Sequence, residues 1–125
     1  MKNLYLLLSH LKNGLEHNKL IICVPYSKMN MKVLELLFQE GYLIGYFRDS
    51  FNPKTIVVKL RFTIYNYLKD VKAYKITANQ RHLTVDEMKY ISSQVRFGVV
   101  TTTSGIMNIH EAAKLKLGGQ VLFTF

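Results

Sequence analysis

The chain has 125 residues, 49% of them hydrophobic, and a formal net charge of +9 from 17 Lys and Arg against 8 Asp and Glu. That length holds one domain or two very small ones, and the apolar content excludes a disordered chain. No apolar run reaches the roughly 18 residues that a membrane-spanning helix needs. The early cluster Leu4 to Leu8 is amphipathic and has no small-residue cleavage site after it, which argues against secretion. Nine basic and four acidic side chains fall in residues 1–62, and eight and four in 63–125. A positive field spread in this way suits a polyanion held against a broad surface.

Leu4, Leu7, Leu8, Leu11 and Leu15 recur at helical spacing and predict a first helix. Ser9, Lys12, Asn13 and Glu16 form its polar stripe, and Asn13-Gly14 is expected to weaken the last turn or begin the exit. Leu20 to Val24 reads as a buried strand closed by Pro25. Cys23, the single cysteine, is then a small buried apolar residue, and a disulfide within the chain is impossible. Ser27 caps a helix running to Glu40, with Val33, Leu34, Leu37 and Phe38 inward and Gly41 as terminator. The N-terminus of that helix, with the charge of Lys28 beside it, suits a phosphate; a cap serving only its own helix explains the same residues.

Tyr42 to Phe47 and Thr55 to Phe62 predict two strands joined by a turn through Asn52-Pro53. In the second, Lys59 and Arg61 alternate with Val58, Leu60 and Phe62, giving one basic and one apolar face. Residues 63–70 carry no Gly/Pro/Ser run, yet they are the place for a boundary between domains at 1–66 and 67–125. Val71 to Thr77 reads as a strand followed by a turn at Ala78-Asn79-Gln80. Thr84 and Glu87 form a capping box for a short helix to about Ser93.

The last thirty residues carry the densest pattern. Phe97-Gly98-Val99-Val100 is an apolar strand leading into Thr101-Thr102-Thr103-Ser104-Gly105-Ile106-Met107, a hydroxyl-rich turn. Asn108 caps a helix, with Glu111 reaching back, and Gly118-Gly119 is expected to break it. Val121, Phe123 and Phe125 then alternate with Leu122 and Thr124 in a closing strand. Four consecutive hydroxyls exceed the needs of one cap, although Thr and Ser also bond to their own backbone in structural turns. Beside a double glycine that admits close backbone approach, they read as a binding surface.

Other chemistries find no support. The histidines at 10, 17, 82 and 110 have no paired metal-ligand spacing, and one cysteine completes no zinc set. Thr103 or Ser104 near His110 lacks a nucleophile elbow and a third group. The Gly-x-x-x-x-Gly-Lys loop of nucleotide-binding proteins is missing.

The heptad at 101–107, followed by Glu111-Ala112 and Leu117-Gly118-Gly119-Gln120-Val121-Leu122, resembles the C-terminal signature of the small-subunit ribosomal protein eight family. That pattern reads Ser-Thr-Ser-x-Gly-x-Met, then Glu-Ala-Arg, then Gly-Gly-Glu. Pro25-Tyr26-Ser27-Lys28 is similar to its Pro-Ser-Ser-Lys, and Ser9, Lys12 and Asn13 to its Thr-Arg-Ile-Arg-Asn. The sequence departs from the family at His10 and Ala113 (arginine), Ile109 (aspartate), Gln120 (glutamate), and Thr101 and Thr103 (serine). Between Lys75-Ile76-Thr77 and Arg81-His82 the usual Pro-Gly is absent, with Arg81 and His82 as the substitute basic contact.

The resemblance implies an α/β (α+β) fold of two small lobes: an N-terminal α-β-α-β-β layer and a β-rich C-terminal lobe with short helices. It implies a non-enzymatic constituent of the small ribosomal subunit, binding the central domain of its ribosomal RNA without cofactor, membrane or small-molecule substrate. Neighbouring ribosomal proteins are the other expected partners. RNA contacts are expected at Ser9, Lys12, Asn13, Ser27, Lys28, Arg81, Thr101, Thr102, Thr103, Ser104, Gly105, Gly118, Gly119 and Gln120. Gly105→Val is expected to weaken binding while leaving the fold. A free-standing RNA-binding regulator such as a translational repressor is the alternative, and a hydrolase the distant third. The Tyr/Phe/Ile/Asn/Lys-leaning composition, the departures and the missing import extension point to an organelle-encoded protein of a mitochondrial ribosome, with the bacterial cytoplasm as the alternative.

Overall fold

The computed structural model describes residues 2–61, 72–73 and 82–125. Packing divides the chain into two units, Met1–Asp70 and Val71–Phe125. The expected boundary, linker and turn at 78–80, together with Phe62 and Arg81, lie outside the described residues.

The first unit starts with α1 (Lys2–Glu16). Leu4, Leu7, Leu8, Leu11 and Leu15 are all buried, as their spacing requires, and each contributes about 1.5–3 kcal/mol of burial. Gly14 does not end the helix. A side chain there would meet Ile22 Cγ2 at 2.5 Å, so glycine is set by packing. The exit comes later, at Asn18, whose φ is 58°. Lys19 N–H donates to Gly14 O at 2.8 Å and Asn18 N–H to Leu15 O at 3.1 Å, a Schellman motif with asparagine as the left-handed residue.

Strand β1 (Ile21–Pro25) pairs antiparallel with β3 (Thr55–Leu60), which also pairs with β2 (Leu43–Arg48), giving the order β1-β3-β2. Ile22, Val24, Leu43, Ile56, Val58 and Leu60 are buried. Ile21, Cys23, Lys59 and Phe47 alternate with them and are exposed. The expectation of a fully buried β1 is therefore corrected: the strand has one dry face, and Cys23 lies on the other. A short apolar run does not distinguish burial on one face from burial on two.

Helix α2 (Lys28–Gln39) starts at Ser27, whose side chain accepts the Asn30 N–H at 3.0 Å. Gly41 (φ +81°) follows its last turn. Val33, Leu34, Leu36 and Leu37 face inward. Phe38 does not: it is 46% exposed and lies edge-on to Tyr46 at 5.9 Å. Asn30 is buried and ties three elements, its Nδ2 donating to Asn3 O at 3.1 Å and Pro25 O at 3.0 Å.

The second unit is a four-stranded antiparallel sheet of order β4-β7-β5-β6, formed by β4 (Lys72–Ala73), β5 (Gly98–Thr102), β6 (Gly105–Asn108) and β7 (Gly119–Thr124). Helix α3 (Val85–Gln94) opens with the expected Thr84–Glu87 capping box. Helix α4 (Ile109–Lys114) opens at Asn108, whose side chain accepts the His110 N–H at 3.0 Å. Met88 of α3, Ile109 and Ala112 of α4, and Val100, Met107 and Val121 of the sheet form one buried cluster, with Leu83, Ile91, Val95, Ala113 and Leu117 against it.

Strict alternation in the closing strand is corrected too. The β5–β7 register shifts between Val99 and Val100, so Val121, Leu122, Phe123 and Thr124 are all buried. Phe97 lies 6.1 Å from Phe123 and 5.3 Å from Phe125, centroid to centroid. Nor does Gly118-Gly119 break α4. Lys116 (φ 59°) does, with Leu117 N–H donating to Ala112 O at 2.9 Å. No described helix is long and apolar enough to cross a membrane. The architecture is α+β, with the first unit running α-β-α-β-β.

Candidate nucleic-acid interface

The hydroxyl-rich segment is a hairpin and not a simple turn. Thr101 and Thr102 are the last residues of β5, Thr103 and Ser104 form the tip, and Gly105 begins β6. The Thr102 hydroxyl is used by the hairpin itself: it accepts the Ser104 N–H at 3.1 Å and donates to Gly105 O at 3.0 Å. The structural role of one threonine is thereby separated from the others. Thr103, Ser104 and Gly105 are exposed and Thr101 partly so.

Gly105 has φ +109°, a conformation that costs L side chains dearly. Valine at 105 would strain the hairpin, so the expectation that Gly105→Val leaves the fold untouched is corrected. A Cβ there would meet nothing within 4 Å; the requirement comes from backbone conformation alone.

Register places Gln120, Thr101 and Ile106 in one row across β7, β5 and β6. All three are partly exposed, and Ile106, which sequence reading passed over, completes the row. Gly118 and Gly119 give room to the protein's own chain. A side chain at Gly119 would collide with the Thr101 carbonyl, and one at Gly118 with the Leu83 carbonyl. Leu83 and Gly119 exchange backbone hydrogen bonds of 2.8 and 3.1 Å. The double glycine therefore seats the strand that carries Gln120 beside the strand that carries Thr101.

In the first unit, Ser9, Lys12 and Asn13 share the outer side of α1, Ser9 and Asn13 exposed and Lys12 partly so. Ser27 commits its hydroxyl to the cap, while Lys28 is exposed in the first turn of α2. Asn30 ties that turn to Asn3. Lys12 is nine residues further along α1, roughly 13 Å at 1.5 Å per residue. The stripe and the α2 N-terminus are thus separate patches of one unit.

The geometry answers the hydrolase alternative. His110 Nε2 bonds to Arg96 O at 3.1 Å, at the opposite end of β6 from Thr103, with four residues of strand at about 3.4 Å each between them. His110 is not brought to either hydroxyl. Among the described residues no His, Cys, Asp and Glu group could hold a metal. Burial, then the charge of Glu35, raises the Tyr46 phenol above its ordinary range; Tyr46 lies on β2, outside the predicted contacts. Arg48 is committed to the fold, stacked 3.7 Å over the Tyr26 ring and donating to Pro53 O at 2.6 Å.

These features define an α+β scaffold in which no catalytic group is assembled among the described residues. Comparison with known proteins gives the family. The chain belongs to the ribosomal protein S8 family, whose sequence model matches residues 4–125. It is similar to small ribosomal subunit protein uS8 of Sulfurihydrogenibium sp. (strain YO3AOP1), 28% identical over 124 residues, 93% of this chain and 91% of that protein. It is also similar to the uS8 of Bacteroides fragilis (strain ATCC 25285), 26% identical over 119 residues, with 92% and 91% covered. Members of this family are structural ribosomal proteins, not enzymes.

Proposed function

We propose that the chain is a structural constituent of the small ribosomal subunit that binds the central domain of its ribosomal RNA and supports assembly there. The observation that carries this reading is the exposed Thr103-Ser104-Gly105 tip within a family match spanning residues 4–125. The tip hydroxyls and backbone meet 2′-hydroxyls, phosphates and unstacked base edges, the groups by which irregular RNA is recognised. Thr101 and Gln120 extend that contact along the sheet. Thr102, Gly105, Gly118 and Gly119 hold its shape, with glycine backbone available where it reaches the surface. Ser9, Lys12 and Asn13 on α1 and Lys28 beside the Ser27 cap supply further contacts, Lys28 gripping a phosphate at a helix N-terminus. Arg81 adds a cation in the second unit.

Neighbouring proteins of the same subunit are the remaining partners. The relatives named above are bacterial; they lend nothing to the mitochondrial setting and fit the bacterial cytoplasm.

Equilibrium binding to a transcript of the central domain tests the proposal, with another rRNA domain of equal length as control. Tighter binding to the central domain is expected, and equal affinity for both overturns it. Sedimentation separates the ribosomal constituent from a free-standing translational repressor, since the former travels with the small subunit.

A further inference from the structure

Beside the α1 stripe runs a cleft that shares only Asn13 with the contacts above. It has a volume of about 590 Å³, within the range of small-molecule sites. The cleft lies between the C-terminal half of α1 and β1, the edge strand of its sheet. His10, Asn13 and His17 line one wall and Ile21 and Cys23 the other, with Lys19 following the helix. His10 and His17 are two turns apart on the same side of α1. Gly14 between them packs closely against Ile22, and both residues line the cleft.

His17 Nδ1 lies 2.8 Å from Asn13 O. A carbonyl only accepts, so Nδ1 carries the proton of this hydrogen bond, which leaves Nε2 to face the cleft. The cleft therefore offers two imidazoles, a carboxamide that both donates and accepts, an apolar wall and a cation. It is placed toward the C-terminal, negative end of the α1 dipole, which disfavours a bare anion and favours a group with N–H donors.

We infer that this cleft receives a single unpaired nucleotide of the RNA lying on α1. The base lies against the imidazoles and the Ile21 wall, and its phosphate faces outward toward Lys19. Flipped-out bases of single-stranded RNA are held in this way, by ring stacking together with bonds to their edges. The inference rests on the reading of α1 as an RNA-facing helix, and Asn13 belongs to both the stripe and the cleft.

The test is a nuclear magnetic resonance titration of the full chain with each of the four nucleoside 5′-monophosphates and, separately, inorganic phosphate. At least one nucleotide is expected to move the His10 and His17 ring signals and the Ile22 methyl signals saturably, with no matching response to phosphate. The His10→Ala/His17→Ala double variant should lose that response while its remaining methyl spectrum is unchanged. Absence of saturable shifts overturns the inference, and so does an equal response to inorganic phosphate, which marks an anion site only. The double variant should also bind the central-domain transcript at least about fivefold more weakly. If the wild-type chain binds that transcript and the double variant binds it equally, the cleft is excluded and the ribosomal reading stands. If the wild-type chain does not bind the transcript, the ribosomal reading fails, while the nucleotide titration still decides the cleft.

Discussion

Thr102 and Thr103 are neighbours of the same residue type with different tasks. The Thr102 hydroxyl closes the hairpin through Ser104 N–H and Gly105 O, whereas Thr103 and Ser104 stand exposed at its tip. Thr103→Ala combined with Ser104→Ala should therefore leave thermal unfolding unchanged and weaken RNA binding by roughly 5- to 150-fold, at about 0.5–1.5 kcal/mol for the hydrogen bond of each hydroxyl. Unchanged affinity in the folded double variant would remove the tip from the interface. At Lys28 the expectation differs. On the proposed reading it engages a phosphate, so Lys28→Ala should weaken binding to all RNA sequences alike and reduce the salt slope by about one contact; an unchanged slope would count against it. Sequence alone identified the hydroxyl cluster but not this division of labour. Which threonine turns inward depends on strand register, and register is a non-local property.

Element starts were legible; ends were less so, although Gly41 was read as the terminator of α2 and has φ +81°. Ser27, Thr84 and Asn108 were each read as caps, because a cap bonds to residues two or three positions away and so leaves a local signature. Asn18 and Lys116 end their helices in left-handed backbone; asparagine favours that conformation, whereas a lysine at 116 does not announce it. Instead, Leu117 ends α4 by packing against the cluster of the second unit. Lys116→Gly should accordingly raise stability by up to about 1 kcal/mol, read as a shift of the denaturation midpoint, since glycine removes the left-handed penalty. A destabilised variant would contradict the role assigned to that position. Gly119→Ala should behave oppositely, because its methyl group has only the Thr101 carbonyl to meet. A loss of at least about 2 kcal/mol is expected, and a neutral effect would refute the close approach.

At the scale of the whole molecule, charge and family agree. On the proposed reading an excess of +9 spread over both halves neutralises phosphates and releases counterions, so log affinity should fall linearly with log salt by roughly 0.7–0.9 per phosphate engaged. The α+β class and the first unit's element order were readable from periodicity. Cys23 and Phe38, both expected inside, were not, since one-sided burial is decided by the layers an element meets. The most direct measurement is ultraviolet crosslinking in purified small subunits, mapped by residue on the protein and by nucleotide on the RNA. The account predicts crosslinks from the 101–105 hairpin to the central domain. Particles that lack the chain, or a hairpin that crosslinks to no nucleotide while other surfaces do, would contradict it.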